Sequence, residues 1–153
     1  AGPPDLVVAR DRLAGFKAGL ADEGIELPDA NVIASGFTRD GGHDAVADLI
    51  TARTGATCVF AVNDVMAMGA MAALRERGLR VPEDVSVAGF DDIPTLRDLV
   101  PALSTVRLPL EEMGERAARL VLDEVVAEPR TVRVAGEVVL RASTSPPSGT
   151  GLR

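Results

Sequence analysis

Residues Thr57 to Gly78 read TCVFAVNDVMAMGAMAALRERG, and this stretch decides the fold. Thr57 to Val62 is a short apolar run without polar alternation, the pattern of a strand buried on both faces. Asn63 then opens a helix that runs through Arg77, with Gly78 as its stop. A fully buried strand followed at once by a helix is half of a βαβ unit.

The same alternation extends in both directions. Upstream, Arg12 to Glu23 carries Leu13, Phe16 and Leu20 at helical spacing before Gly24. Asn31 to Ser35 reads as a short buried strand ending at Gly36-Phe37. Gly42 to Arg53 places Val46, Leu49 and Ile50 on one helical face. Downstream, a Pro82-Glu83-Asp84 turn leads into the strand Val85 to Phe90. This order predicts an α/β fold, a parallel sheet with helices on both faces joined by right-handed crossovers. After Phe90 the pattern changes. Ile93 to Ala102 reads as a loop with a short helical turn, and Ser104 to Val106 as a short strand. Leu110 to Val126 has a helical apolar face, and Val132 to Leu140 has strand character broken near Gly136. The tail from Ser143 to Arg153 is rich in Ser, Thr, Pro and Gly and is expected to be disordered or loosely packed.

Residues Val65 to Leu74 are all apolar or small. A helix covering a sheet needs only one apolar stripe. The second face should be buried as well, most simply by another subunit; a fully internal helix is the alternative.

Composition narrows the function classes. The chain has 153 residues, 46% of them hydrophobic, so it can build one sizeable core and is not disordered. Its formal net charge of -7 disfavours phosphate backbones, which argues against strong DNA binding by this chain alone. With aromatics at 3% and no Trp or Tyr, a stacking platform for single-stranded nucleic acid is not expected. The one cysteine, Cys58, rules out a disulfide framework and reads as a small core residue. No signal peptide or membrane span is visible.

In open parallel sheets, ligands sit in the crevice outside the carboxyl ends of the strands. Phe37, Asn63-Asp64 and Asp91-Asp92 follow the three strand ends. Amide and carboxylate groups pair with vicinal hydroxyls and an aromatic ring packs on C–H faces, which suits a polyhydroxylated ligand. Each has a plainer reading: Asn63 as an N-cap, Asp64 as a first-turn acid, Asp91-Asp92 as a turn pair, Phe37 as core. Catalytic and metal readings fare worse. The only histidine, His43, lies near a helix start after Gly41-Gly42, and no Gly-x-Ser-x-Gly elbow or Walker loop is present. No cofactor and no catalytic residue is expected, and a carboxylate metal site from Asp64, Asp91 and Asp92 is a minor alternative.

Several segments resemble the C-terminal half of the lactose-repressor (LacI/GalR-type) transcription regulators. They are Arg12 to Phe16 (RLAGF), Val59 to Asp64 (VFAVND), Met66 to Ala70 (MAMGA), Gly78 to Asp92 (GLRVPEDVSVAGFDD) and Pro101 to Val106 (PALSTV). Met113-Gly114 with Ala117, and Leu140-Arg141 with Ser143-Thr144, continue the likeness. The resemblance covers nearly the whole chain, and the Gly78 to Asp92 segment is its most specific part. It implies a periplasmic-binding-protein-like (type I) fold with two subdomains and a small effector in the cleft between them. It also implies a homodimer, and operator DNA held through an N-terminal headpiece.

Carried over residue by residue, the resemblance makes Arg12, Phe37, Asn63 and Asp91 the effector contacts and puts Met68 and Leu99 on the dimer face. As a surface residue of a first helical turn, Arg12 has a plainer reading too. The resemblance divides the chain into residues 1–107, the C-terminal effector-binding subdomain; 108–138, a crossover helix and strand that belong with the N-terminal subdomain; and 139–153, a return segment and flexible tail. Nothing in the chain resembles a headpiece, and the subdomain is expected to be truncated at its first strand. Leu6-Val7-Val8 is a candidate substitute for that strand, as is a second chain. The implied function is the effector-binding and dimerisation portion of a cytoplasmic, sugar-responsive regulator. A periplasmic sugar-binding protein of a transporter is the alternative, and an enzyme on a similar sheet is the third class, which fold alone never excludes.

Overall fold

The computed structural model describes residues 1–122, 130–147 and 151–152. Helix α1 spans Val7–Asp22 and α2 spans Arg39–Thr51. Strand β1 (Cys58–Phe60) leads into α3 (Asp64–Glu76), which is followed by β2 (Ser86–Ala88). Strand β3 (Thr105–Arg107), helix α4 (Leu110–Leu122) and strand β4 (Glu137–Val139) complete the order. Short 3-10 turns cover Asp29–Asn31 and Pro94–Leu96.

Strands β1 and β2 pair in parallel, with Cys58 opposite Ser86 and Phe60 opposite Ala88. Beyond β2, parallel bridges join Ala88 to Ser104 and Asp91 to Arg107. Strand β4 then pairs antiparallel with β3. The expected strand at Asn31 to Ser35 is not one. Its first residue closes a 3-10 turn, and the rest is extended chain bonded to Ala1. A strand needs a ladder on at least one side, and among the described residues no strand lies beside this segment. Leu6-Val7-Val8 does not supply one, because Val7 and Val8 begin α1 and all three residues are exposed.

Helix α3 shows how local sequence and packing agree. The Asn63 side chain accepts from Met66 N at 2.8 Å, capping the helix start, and Asp64 lies in its first turn. Gly78, at φ 74°, ends it, with Leu79 N bonded back to Leu74 O at 3.0 Å. Helix α2 packs closely along α3 within the chain, while Val65 and Met68, on the face for which another subunit was expected, are half-buried. Two glycines permit that close crossing. A β-carbon on Gly69 would land on the Arg39 carbonyl oxygen, and one on Gly42 on that of Met66.

The core lies under this crossing. Val46, Leu49, Val59, Met66, Leu74 and Val87 belong to one buried cluster. Leu152 is in the same cluster and has no exposed surface, so the tail is not loose throughout. Ser143 is equally buried: its hydroxyl donates to Val87 O at 2.6 Å and accepts from Ser104 N at 2.8 Å. Hydroxyl groups settle in the interior because each finds backbone partners, which composition cannot register. Residues 148–150 and 153 lie outside the described residues, as does the part of the expected Leu110 to Val126 helix beyond Leu122. Helix α4 leaves its apolar face open, with Leu110, Met113 and Val121 exposed. The strand expected from Val132 forms only at β4, beyond Gly136.

Candidate functional site

Four groups converge at the carboxyl ends of β1 and β2. Arg12 reaches there from α1. Its guanidinium donates to Val62 O at 2.7 Å and to Asp91 Oδ1 at 2.8 Å, with a longer contact of 3.4 Å to Oδ2. It also lies 4.1 Å from the centroid of the Phe90 ring, within cation–π range. The Arg12 side chain is therefore held by a main-chain carbonyl, a carboxylate and an aromatic face. That orders a long side chain before any ligand arrives. Asn63, the residue after Val62, is buried and caps α3. The plainer reading of Asn63 therefore holds, and capping occupies its side-chain oxygen. The plainer reading of Arg12 as a surface residue does not, since only 14% of its side chain is exposed.

Asp91 and Asp92 adopt left-handed backbone conformations, at φ 116° and 53°. Non-glycine residues occupy that region at a cost of about 1–3 kcal/mol each, and persist there when their surroundings hold them. The two neighbours face opposite ways. Asp91 meets Arg12 and remains 28% exposed, whereas the Asp92 side chain is almost fully buried. Asp92 accepts from Arg141 at 2.6 Å, Arg107 at 2.7 Å and Arg97 at 3.2 Å. Burial works to raise the Asp92 pKa, but Arg107, Arg141 and Arg97 together outweigh it and hold the carboxyl below its ordinary value. For Asp91 the balance runs the other way: burial raises its pKa, against the opposing pull of Arg12. The Asp91 N–H donates to Val106 O at 2.9 Å. The turn is thus clamped from beneath by Asp92 and from the side by β3, which leaves the Asp91 carboxylate aimed at Arg12.

Asp64 belongs to the clamp. Its oxygens accept from the Thr105 hydroxyl at 2.6 Å and from Ile93 N at 2.9 Å. It is therefore a structural tie between α3 and the loop after β2. Among the described residues no cluster of three or more His, Cys, Asp or Glu side chains is placed to hold a metal ion. His43 sits on the surface, its ring nitrogens paired with Glu76 at 2.9 Å and Asp44 at 3.0 Å.

Phe37 packs against the core cluster, and its ring lies where a β-carbon on Gly2 would go. Of the four residues expected to contact effector, Arg12, Asn63 and Asp91 share the β1–β2 end, while Phe37 is anchored on Gly2. Met68 and Leu99 are both half-buried, and Leu99 packs against the core cluster. The sequence reading missed Phe90, Arg97, Arg107 and Arg141. Arg107 and Arg141 lie 15 and 49 residues from Asp92, so no local pattern joins them.

Residues 1–144 match the model of the periplasmic binding protein-like domain. The chain belongs to that family. Its curated relatives include the HTH-type transcriptional repressor PurR of Escherichia coli O1:K1 / APEC, 34% identical over 147 residues. That match covers 94% of this chain and 43% of the repressor, so the chain spans less than half the length of the relative. Among solved structures, the transcriptional regulator CelR in complex with cellobiose aligns with a TM-score of 0.88 at 35% identity, covering 94% of this chain and 45% of that one. A sugar-binding transcriptional regulator of the LacI family from Escherichia coli, complexed with phosphate, aligns with a TM-score of 0.84 at 38% identity, covering 95% of this chain and 53% of that one. The parallel sheet and the LacI-type resemblance read from sequence therefore hold. Among the described residues no helix is long and apolar enough to cross a membrane.

Proposed function

We propose that this chain is the effector-binding and dimerisation portion of a LacI-type, DNA-binding transcriptional regulator, and that it is not an enzyme. The observation that carries the reading is the Arg12–Asp91 pair at the ends of β1 and β2, with Asp91 held in a costly backbone conformation. An ordered guanidinium and a partly open carboxylate offer a donor and an acceptor to vicinal hydroxyls, and a sugar is the ligand class that presents them. Phe37 supplies the apolar contact and Asn63 the neighbouring amide. The cellobiose-bound and sugar-binding relatives support the same class.

Residues 1–107 form one wall of the cleft, residues 108–138 belong with the opposite subdomain, and residues 139–153 return to the first wall. The exposed apolar face of α4 agrees with a partner outside this wall. Met68 and Leu99 lie on a homodimer surface, and operator DNA is contacted through a separate headpiece of a cytoplasmic parent protein. Effector binding then selects one closure state of the cleft and so changes headpiece spacing.

The test is a calorimetric titration of the full-length regulator with a panel of pentoses, hexoses, disaccharides and purine bases, beside an operator-binding assay. One sugar should bind and shift operator affinity. Asp91→Asn and Arg12→Ala should each weaken that sugar at least about tenfold, the loss of one charge-assisted hydrogen bond or more. A regulator that binds no operator, or responds to no sugar or nucleobase, sinks the reading.

A further inference from the structure

We propose that Arg97 and Arg107 form an anion site for a phosphate group, on the side of the Asp91–Asp92 turn away from Arg12. The inference does not depend on the effector reading. Both guanidiniums bond the same oxygen: Arg107 Nε donates to Asp92 Oδ2 at 2.7 Å and Arg97 Nη2 at 3.2 Å. They come from different segments, Arg97 from the end of the Pro94–Leu96 turn and Arg107 from the end of β3.

The charges at this point do not balance. Arg141 donates to Asp92 Oδ1 at 2.6 Å and to Leu103 O at 2.8 Å. Arg107 also reaches Glu137 Oε2, at 3.3 Å, in an exposed pair. Three arginines therefore face two carboxylates, which leaves one positive charge in a chain whose formal net charge is -7. Arg141 and Arg107 already supply both oxygens of Asp92. Arg97, the third, adds like-charge repulsion and ties down a long side chain for the longest of the three bonds. A second anion held between Arg97 and Arg107 offsets that repulsion.

The unspent donors point to the class of anion. Among the described residues, Arg97 Nε and Nη1 and Arg107 Nη2 have no partner. The Arg97 and Arg107 side chains are 50% and 43% exposed, while Asp92 beneath them is buried. Asp92 thus fixes the two guanidiniums and leaves their outer edges open to solvent. A planar carboxylate matches the fork of one guanidinium, whereas a phosphate offers oxygens in several directions and can accept from two at once. Its charge of about −1.5 to −2 at neutral pH also lets it compete with the exposed Glu137 for Arg107. Bound there, it ties the loop at Arg97 to the end of β3. Free phosphate and a phosphate monoester share this chemistry.

The test is a calorimetric titration of the 153-residue chain with inorganic phosphate, at an ionic strength held constant with sodium chloride. Glucose 6-phosphate is titrated beside it, with glucose as the control. Phosphate should bind saturably, and Arg97→Gln should weaken it about tenfold or more, the loss of a charge-assisted pair. That variant leaves Asp92 with Arg107 and Arg141, so the turn keeps its clamp. Arg119→Gln, on the exposed surface of α4, should leave phosphate binding unchanged. Glucose 6-phosphate binding at least as tightly as phosphate, with the same loss in Arg97→Gln, assigns the site to a monoester; binding of phosphate alone assigns it to the free ion. No phosphate binding beyond the effect of chloride would overturn the proposal. So would equal phosphate affinity in Arg97→Gln and the parent chain. Phosphate binding lost in Arg12→Ala but kept in Arg97→Gln would place the ion in the effector cleft and equally overturn it.

Discussion

The two sides of β1 are built differently. Toward β2, buried polar groups are paired beside the apolar core: Asp64 with Thr105, Asp92 with its three arginines, Ser143 with Val87 and Ser104. Toward Ala1, the same strand borders open apolar space. Both sides have buried-type sequence, and only one is filled. An apolar strand thus reports that it will be covered, not which segment covers it.

Paired truncations bear on this contrast most directly. Leu74→Ala, in the filled core, should cost about 3 kcal/mol in chemical denaturation, because the deleted atoms leave a cavity. Leu13→Ala, beside the existing cavity, should cost less than about 1 kcal/mol, since little packing is lost there. Equal costs would break the comparison. Asp92→Asn should destabilise by about 2 kcal/mol, because charge-assisted bonds to Arg107 and Arg141 weaken together. The same change should disturb Asp91 through the shared turn. If the variant unfolds like the parent chain, the filled side does not depend on its ion cluster.

The smallest effect concerns the α2–α3 surface. Hydrogen bonds to Glu76 and then Asp44 raise the His43 pKa, and the His43 bond lowers that of Glu76. The raised histidine contributes stability fully present below its unfolded value of 6.5, lost as pH rises through the higher folded value. The lowered Glu76 contribution is present above 4.5 and lost as pH falls through its folded value. A shallow optimum between these limits should therefore flatten in His43→Asn, measured as unfolding midpoint against pH. An unchanged profile would remove His43 from the stability of the crossing.

Much of the site was legible because its residues follow strands in order. Asn63 and Asp91 stand directly after VFAV and VAGF, so the switch from apolar run to polar residue marked them. Arg12 came from the resemblance, since nothing in its own helix says that it crosses to Val62 and Asp91. Cys58 read as core because its neighbours are apolar, yet it faces the unfilled side and is exposed. Helix α3 is covered in part within the chain, while Val65 and Met68 stay half-buried. Apolar composition measures how much of a helix is buried, and Gly42 and Gly69 let α2 do the burying.

The sequence by itself determined the α/β alternation, the cap at Asn63, the stop at Gly78 and the polar residues at the strand ends. These depend on neighbours within a few positions, where backbone preference and periodicity act. Only the tertiary structure decided the clustering of Arg97, Arg107 and Arg141 on Asp92, the burial of Leu152 and the apolar cavity beside β1. Each of these depends on which distant segments meet, and an ion pair or a void belongs to two or more segments at once.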